Sequence, residues 1–472
     1  MKVENIDVDE TLRVVRQHLE QAPELSPGLR SALEMLMLLV TILIHRLKLD
    51  SQNSHKPPAS DKHPRAPRRK GRSGRKPGKQ NGHPGATLTH VDDPDERIDL
   101  RIDRRTLPKG RRYRPIDWEV RQVFDLDISC VVTEYRAEVF LDDRGERHVA
   151  QFPEGVTAPV QYGVDVKGHD VYMPQYQLIP FDRVRDHFQE QLGIPVSAGS
   201  VFNFNQEAYE RLAAFEDWAK RQLAQTPVLR VDETGIRIAG KQFWLHCASN
   251  PKVTWLAAHA KRGSEAMIDI GVLPVFEAIL CHDHWKPYLN LTAVHALCNA
   301  HHLRELERAW EQDGQAWAWK LKAPLLDLHE SVAAAGGQLP HDPAQTWRAR
   351  YRAVLKQGDV ECPPPPERRP GQRGRPKRSK SRNLLERLIQ FEDETLLRME
   401  RAEVPFSNNQ AESHVRINKV QQKISGSFHY LDGAHMFCRI RSYLSTCRKN
   451  GVSATEALRL LFLGKSPSFM AD

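Results

Sequence analysis

Three acidic residues stand where carboxylates could share a divalent ion. Asp232 ends a strand-like run in VLRVDET, Asp283 ends another in AILCHDHW, and Glu412 opens a helical run in PFSNNQAESHVRINK. Two divalent ions roughly 3.5–4 Å apart can activate a water or a 3′ hydroxyl and stabilise the leaving oxygen in phosphoryl transfer, provided that carboxylates converge on one side. An oxygen-rich donor set of this kind suits Mg2+ or Mn2+ rather than zinc. Taken singly, each acid also reads as a surface acid at a strand end or as a carboxylate favoured by a helix dipole. Beyond Glu412, the cations Arg416, Lys419 and Lys423 follow at spacings of 4, 3 and 4. They share one helical stripe with the carboxylate and could lead a phosphodiester backbone towards it. The bland reading of that stripe is an i,i+4 surface pair worth roughly a few tenths of a kcal/mol.

Other reactive side chains carry less. Cys281, His282, His284, Cys298, His301 and His302 cluster in sequence, but their separations do not match a compact zinc finger. Polar or core roles are expected for them, and no zinc. No glycine-flanked nucleophile elbow supports Ser-His-Asp chemistry.

The elements that must position the acids begin at Pro227. VLRVDETGIRI, KQFWLHCASN and VTWLAAHAK read as strands, followed by a helix around Ser264–Ile270 and a further strand in EAILCHDHW. Three strands, then helix and strand, is the order of a ribonuclease H-like, integrase-like core. The expected fold class is therefore α+β and multidomain, with the core over 227–472 and a helical insertion over about 295–400. A Pro-rich basic linker, 362–382, interrupts the insertion. Its Arg373-Gly374-Arg375-Pro376-Lys377 resembles an AT-hook, in which Arg375 would enter a narrow minor groove, although such strings arise by chance in basic linkers.

Upstream, residues 171–226 read as a helix-turn-helix. One apolar-periodic helix ends at Gly193, and Ser197 caps a second on which Ser200, Asn203 and Asn205 are polar side chains that could reach base edges. Helical hairpins with a glycine turn also occur in proteins that never touch DNA. Residues 86–170 suggest a small β-rich domain from alternating runs such as 119–123 and 131–139. Residues 51–85 form a basic linker without apolar periodicity, expected to be disordered. Its Arg68, Arg69, Lys70, Arg72, Arg75 and Lys76 could track phosphates by counterion release, the alternative being an inert tether. Residues 1–50 are expected to be a helical self-association segment, because Leu29, Leu33, Leu36, Val40, Leu43 and Leu47 repeat at spacings of 4, 3, 4, 3 and 4. A helix buried within its own chain is the competing reading. The apolar stretch Met35–Ile44 is about half the roughly 20 residues that a membrane span needs, so no membrane partner is expected.

Composition agrees with an anionic partner. Across 472 residues, 69 Lys and Arg exceed 60 Asp and Glu, for a formal charge of +9. Seven cysteines, the closest two nine positions apart, argue for reduced thiols, and MKVENIDVDE lacks the pattern of a signal peptide. A cytoplasmic, nucleoid-associated protein is expected.

Over nearly its whole length the sequence resembles the transposases of the insertion sequence 66 family, bacterial DDE enzymes. The strings that carry the resemblance are NSHKPPASD, GRKPGKQNGHPG, LIPFDRV, GIPVSAGS, VDETG, HDHWKPY, HALCNAHHLRELE, RGRPKRSKSRNLLERL, VPFSNNQAES and KVQQKISGSFHYLDGAHMFCRIRSYLSTCRKNGVSATEAL. The resemblance implies an integrase-like core with a helical insertion between the second acid and the glutamate. Separations of 51 residues from Asp232 to Asp283 and 129 from Asp283 to Glu412 leave room for it. It also implies that Asp232, Asp283 and Glu412 are catalytic metal ligands for Mg2+ or Mn2+. Further implications are element-end and target DNA as partners, a homo-oligomer, and accessory proteins from the same element. Two departures stand out: the family's cysteine-rich zinc motif is replaced by the cysteine-free RRTLPKGRRYRPID, and its Arg after the glutamate is Ser413. The expected function is divalent-metal-dependent strand cleavage and strand transfer of a mobile element. The alternative is a catalytically inactive, DNA-binding derivative of such an enzyme.

Overall fold

The computed structural model of the chain describes residues 2–3, 6–22, 24–47, 49, 53–54, 88–126, 128–365 and 378–471. Among them, a short ladder of β1 (Lys2–Val3) and β2 (Ile6–Asp7) precedes α1 (Val8–Gln21) and α2 (Pro27–Leu47). The Ser26 Oγ accepts the Leu29 N–H at 3.3 Å, as a start signal should. Leu29, Leu36 and Leu43 of the expected seam are exposed, together with Met35, Leu38, Leu39 and Ile42. The length argument against a membrane span does not hold: Pro27–Arg46 is 20 residues long and contains an 18-residue window of mean hydropathy 1.7, enough to cross one by length and composition alone. Met35–Ile44 is only the densest part of this longer helix. The linker cations Arg68, Arg69, Lys70, Arg72, Arg75 and Lys76, and Arg375 of the second linker, lie outside the described residues.

Among the described residues no strand forms over 119–123, and of the run expected over 131–139 only its last residue, Val139, is in one. Among the described residues between 88 and 163, only β3 (Val139–Leu141) pairs with β4 (Arg147–Val149). Alternation makes a strand only where a partner and a second layer bury one face. Here Val123, Val131 and Val132 are 85–89% exposed.

Four helices follow: α3 (Val164–Gln175), α4 (Phe181–Leu192), α5 (Ala198–Arg211) and α6 (Ala213–Ala224). Gly193 closes α4 at φ +65°, a conformation natural to glycine, and the Ser197 hydroxyl caps α5 by accepting from Ser200 N at 3.0 Å. Val184, Phe188, Val201 and Phe204 on the facing sides are buried.

The centre is a mixed sheet of β5 (Val228–Ile238), β6 (Lys241–Ser249), β7 (Thr254–His259), β8 (Ile279–His282) and β9 (Val294–Leu297), with α7 (Ser264–Ile270) between β7 and β8. Its order is β7-β6-β5-β8-β9, antiparallel from β7 to β5 and parallel from β5 to β9. Side chains alternate between two cores. Leu229, Val231, Ala248, Trp255 and Leu280 join a core with Phe215, Tyr288 and Tyr443. On the other face, Ile236, Ile238, Leu245, Cys247 and Leu256 pack on Ala411, Val415, Phe437 and Cys438. Those last four residues belong to α13 (Asn409–Ser425) and α14 (Leu431–Lys449), and α15 (Ala454–Phe462) ends the helices.

Between β9 and α13 lie α8 (Asn299–Asp313), α9 (Ala316–Ala334), α10 (His341–Glu361), α11 (Lys380–Gln390) and α12 (Glu392–Leu396). They have a core of their own around Trp317, Leu321, Leu325, Tyr351, Leu385 and Leu388. The end of the expected 362–382 linker is already helix: Ser379 caps α11, and Arg382 is buried against Glu386 and Asp359.

Candidate active site

Asp232 lies within β5, which runs on to Ile238, and so does not end the strand. The long hairpin with β6 explains the difference, since Asp232 pairs in register with Cys247 and the ladder continues to Ile238 opposite Lys241. Asp283 immediately follows β8. The parallel register sets Arg230 beside Cys281, so two residues further along each chain bring Asp232 and Asp283 to the same level. Alternation puts Asp232 on the face that α13 covers.

Glu412 enters from the first turn of α13, and the chain before it is stitched to the sheet. The Asn408 side-chain amide donates to Val231 O at 2.6 Å, and Arg230 Nη1 donates to Gln410 Oε1 at 2.5 Å. The structure thus brings the three acids together. Burial first, then the charges of Glu233, Asp283 and Glu412, push the Asp232 carboxyl well above its ordinary range, against one backbone N–H from Glu233.

A fourth acid was not singled out from sequence. Glu233 points to the opposite face, where its carboxylate accepts from Arg262 at 2.6 Å and from the Tyr288 hydroxyl at 2.5 Å. Burial and then Asp283 raise its pKa, with Tyr288 and Arg262 opposing. Arg262 is itself stacked between Trp244 and Trp285, 4.8 and 4.4 Å from the ring centres.

Glu412 is buried among cations. Arg304 Nη2 donates to its Oε1 at 3.0 Å, Arg416 Nη2 donates to Oε2 at 2.5 Å, and His301 Nδ1 lies 3.3 Å from Oε1. The expected cationic stripe is therefore partly spent inside the protein. Arg416 pairs with Glu412, Lys419 donates to Gly235 O, and Lys423 is exposed near the end of α13. Ser413 is also exposed and donates to Gln410 O at 2.8 Å.

The remaining expected residues divide similarly. On α5, Asn203 is exposed, whereas the Ser200 hydroxyl meets that of Ser197 at 2.9 Å. Asn205 cannot reach a base, because it is fully buried between Gln175 and Val201 O. Among the histidines, His282 meets His295 at 3.1 Å in the core, and burial holds its pKa down to about 3. Burial also holds His302 well below the usual imidazole value. All seven cysteines are free thiols.

A comparison with protein families matches residues 160–436 to the transposase IS66 family and residues 2–89 to a family of unknown function, DUF6444. A comparison with curated proteins finds no match. The first match spans more than half of the chain and takes in the sheet, the helical insertion and all three acids, so the chain belongs to the IS66 family of transposases.

Proposed function

We propose that this transposase cuts and joins DNA strands at the ends of a mobile element through divalent-metal-dependent phosphoryl transfer at Asp232, Asp283 and Glu412. The observation that carries the reading is the convergence of these carboxylates, from adjacent parallel strands and a covering helix, on one face of the sheet. The strand order supports a ribonuclease H-like core, and the five helices between β9 and α13 fit the expected insertion.

The donors fit a hard cation such as Mg2+ or Mn2+, since Asp232 is destabilised as a carboxylate by its acidic neighbours. Bound there, such an ion supplies Lewis-acid polarisation of phosphate oxygens and a more acidic attacking hydroxyl. Asp232 and Asp283 are the fixed donors of the sheet. Arg304 and Arg416 orient Glu412, while Glu233, Arg262 and Tyr288 brace β5 from behind. Lys423 and the basic linkers hold phosphates, and the α4–α5 hairpin presents Asn203 to DNA. Exposed leucines of α2 support self-association through this helix.

The test is cleavage of labelled element-end DNA by the purified chain. Products that require Mg2+ or Mn2+ and vanish on substituting any one of the three acids support the reading. Metal-independent products, or full activity without one acid, would refute it.

A further inference from the structure

We propose that Cys298, His301 and Glu412 form a second metal site, selective for a thiophilic divalent ion such as Zn2+, and that an ion there withdraws Glu412 from Asp232 and Asp283. The inhibition this entails rests on the function proposed above, but the binding does not.

One donor atom from each residue, the Cys298 Sγ, His301 Nδ1 and a Glu412 carboxylate oxygen, lies within 4.8 Å of the other two, and all three residues are buried. Tetrahedral zinc, with Zn–S of about 2.3 Å and Zn–N or Zn–O of about 2.0–2.2 Å, puts its ligand atoms within roughly 4 Å of one another, so a small side-chain adjustment closes the site. Two of the donors come from one rigid segment. Cys298 is the N-cap of α8 and His301 sits in its first turn, a Cys-x-x-His spacing anchored by the sheet through β9. The third donor arrives on α13, whose approach is fixed by the Asn408 backbone N–H bonding Cys298 Sγ at 3.1 Å.

Ligand chemistry separates this site from the carboxylate cluster. A thiolate and an imidazole select zinc over magnesium, whereas Asp232 and Asp283 offer only hard oxygens. The charges also close, because a dication, one thiolate and one carboxylate sum to neutrality with a neutral imidazole. Two cations face the site, Arg304 and Arg416. Arg416 can keep Oε2, whereas Oε1, which faces His301, is the oxygen available to the ion once Arg304 yields it. Binding displaces one proton from the Cys298 thiol to solvent.

The experiment uses the full chain, stripped with a chelator and loaded with one equivalent of Zn2+. X-ray absorption at the zinc edge should report one sulfur at about 2.3 Å with nitrogen and oxygen neighbours at about 2.0–2.2 Å. No sulfur, or two or more, overturns the site without reliance on any variant. Co2+ should give a sulfur-to-metal charge-transfer band that Zn2+ displaces, that Cys298→Ser removes and that His301→Ala weakens at least about tenfold. A band that survives in Cys298→Ser places the thiolate elsewhere and overturns the proposal. In reactions run with Mg2+, stoichiometric Zn2+ should lower cleavage at least about tenfold, reversibly with chelator. Undiminished cleavage by zinc-loaded protein overturns the inhibitory half. If neither Mg2+ nor Mn2+ supports cleavage, the proposed function fails, and the zinc site is still judged by its absorption spectrum.

Discussion

Arg304 and Glu412, 108 positions apart in sequence, meet with Nη2 3.0 Å from Oε1, the arginine side chain 17% exposed and the glutamate's 5%. The pair joins the first helix of the insertion to the helix that carries the third acid. A buried carboxylate left without one of its cations retains the desolvation cost and loses the attraction that offset it. Arg304→Ala should therefore destabilise the fold by about 3 kcal/mol, whereas exposed pairs such as Arg121–Glu119 should be worth under about 1 kcal/mol. Urea denaturation of both variants would check the contrast, and equal small losses would mean that Arg304 is dispensable to the site.

On the proposed function, Asp232 should make stability depend on pH and on metal. A carboxyl whose folded pKa is raised holds a proton in the native state that the unfolded chain has already released. Its contribution is thus fully present below the ordinary carboxyl value near 4, and is lost as pH rises through the raised folded value. Metal-free Asp232→Asn should melt higher than the parent at pH 7, by about 2–4 °C for each kcal/mol relieved. Mg2+ should reverse the order: at 100 times its Kd it adds about 2.7 kcal/mol to the parent, and little to the variant. Scanning calorimetry with and without Mg2+ would decide, and a parent indifferent to the ion would count against Asp232 as a ligand.

The acids were legible because each sits at a change of pattern: Asp232 and Asp283 in or just after apolar strand runs, Glu412 at the start of a helix. The Gly193 and Ser197 signals likewise fixed the ends of α4 and α5. What surrounds the acids was not legible. Arg304, His301 and Arg262 reach their partners across long stretches of chain, and no local spacing encodes such a meeting. The short β9 was missed because its four residues run directly towards α8, whose stronger helical pattern dominates the window. The alternation over 119–139 misled for the opposite reason, since the pattern is present but nothing covers it.

On the proposed function, the basic linker should set the salt dependence of DNA binding. Every phosphate that the protein no longer neutralises should flatten the slope of log K against log salt by about 0.9 on duplex DNA. Replacing Arg68, Arg69, Lys70, Arg72, Arg75 and Lys76 by alanine should weaken binding to unrelated DNA and reduce that slope by several units. Fluorescence anisotropy over a salt series would measure it. An unchanged slope would return the segment to an inert tether.

Asp283→Asn separates an active enzyme from an inactive DNA-binding derivative. The substitution keeps the side chain's size, and an amide oxygen can still accept the Trp285 N–H that Asp283 Oδ1 accepts at 3.1 Å, so the loop after β8 should hold its shape. What goes is the charge that a divalent ion needs from the donor beside Asp232. Cleavage of element-end DNA in Mg2+ should fall by at least about 10³-fold, or roughly 4 kcal/mol of transition-state stabilisation. Affinity for the same DNA should persist or rise in the absence of metal, because an acid facing phosphate repels it while the basic segments supply the attraction. Gel-resolved cleavage and anisotropy on one preparation would give both numbers. A variant that cleaves like its parent would end the three-acid mechanism, and a parent that binds element ends specifically but never cleaves them would make the chain a DNA-binding derivative.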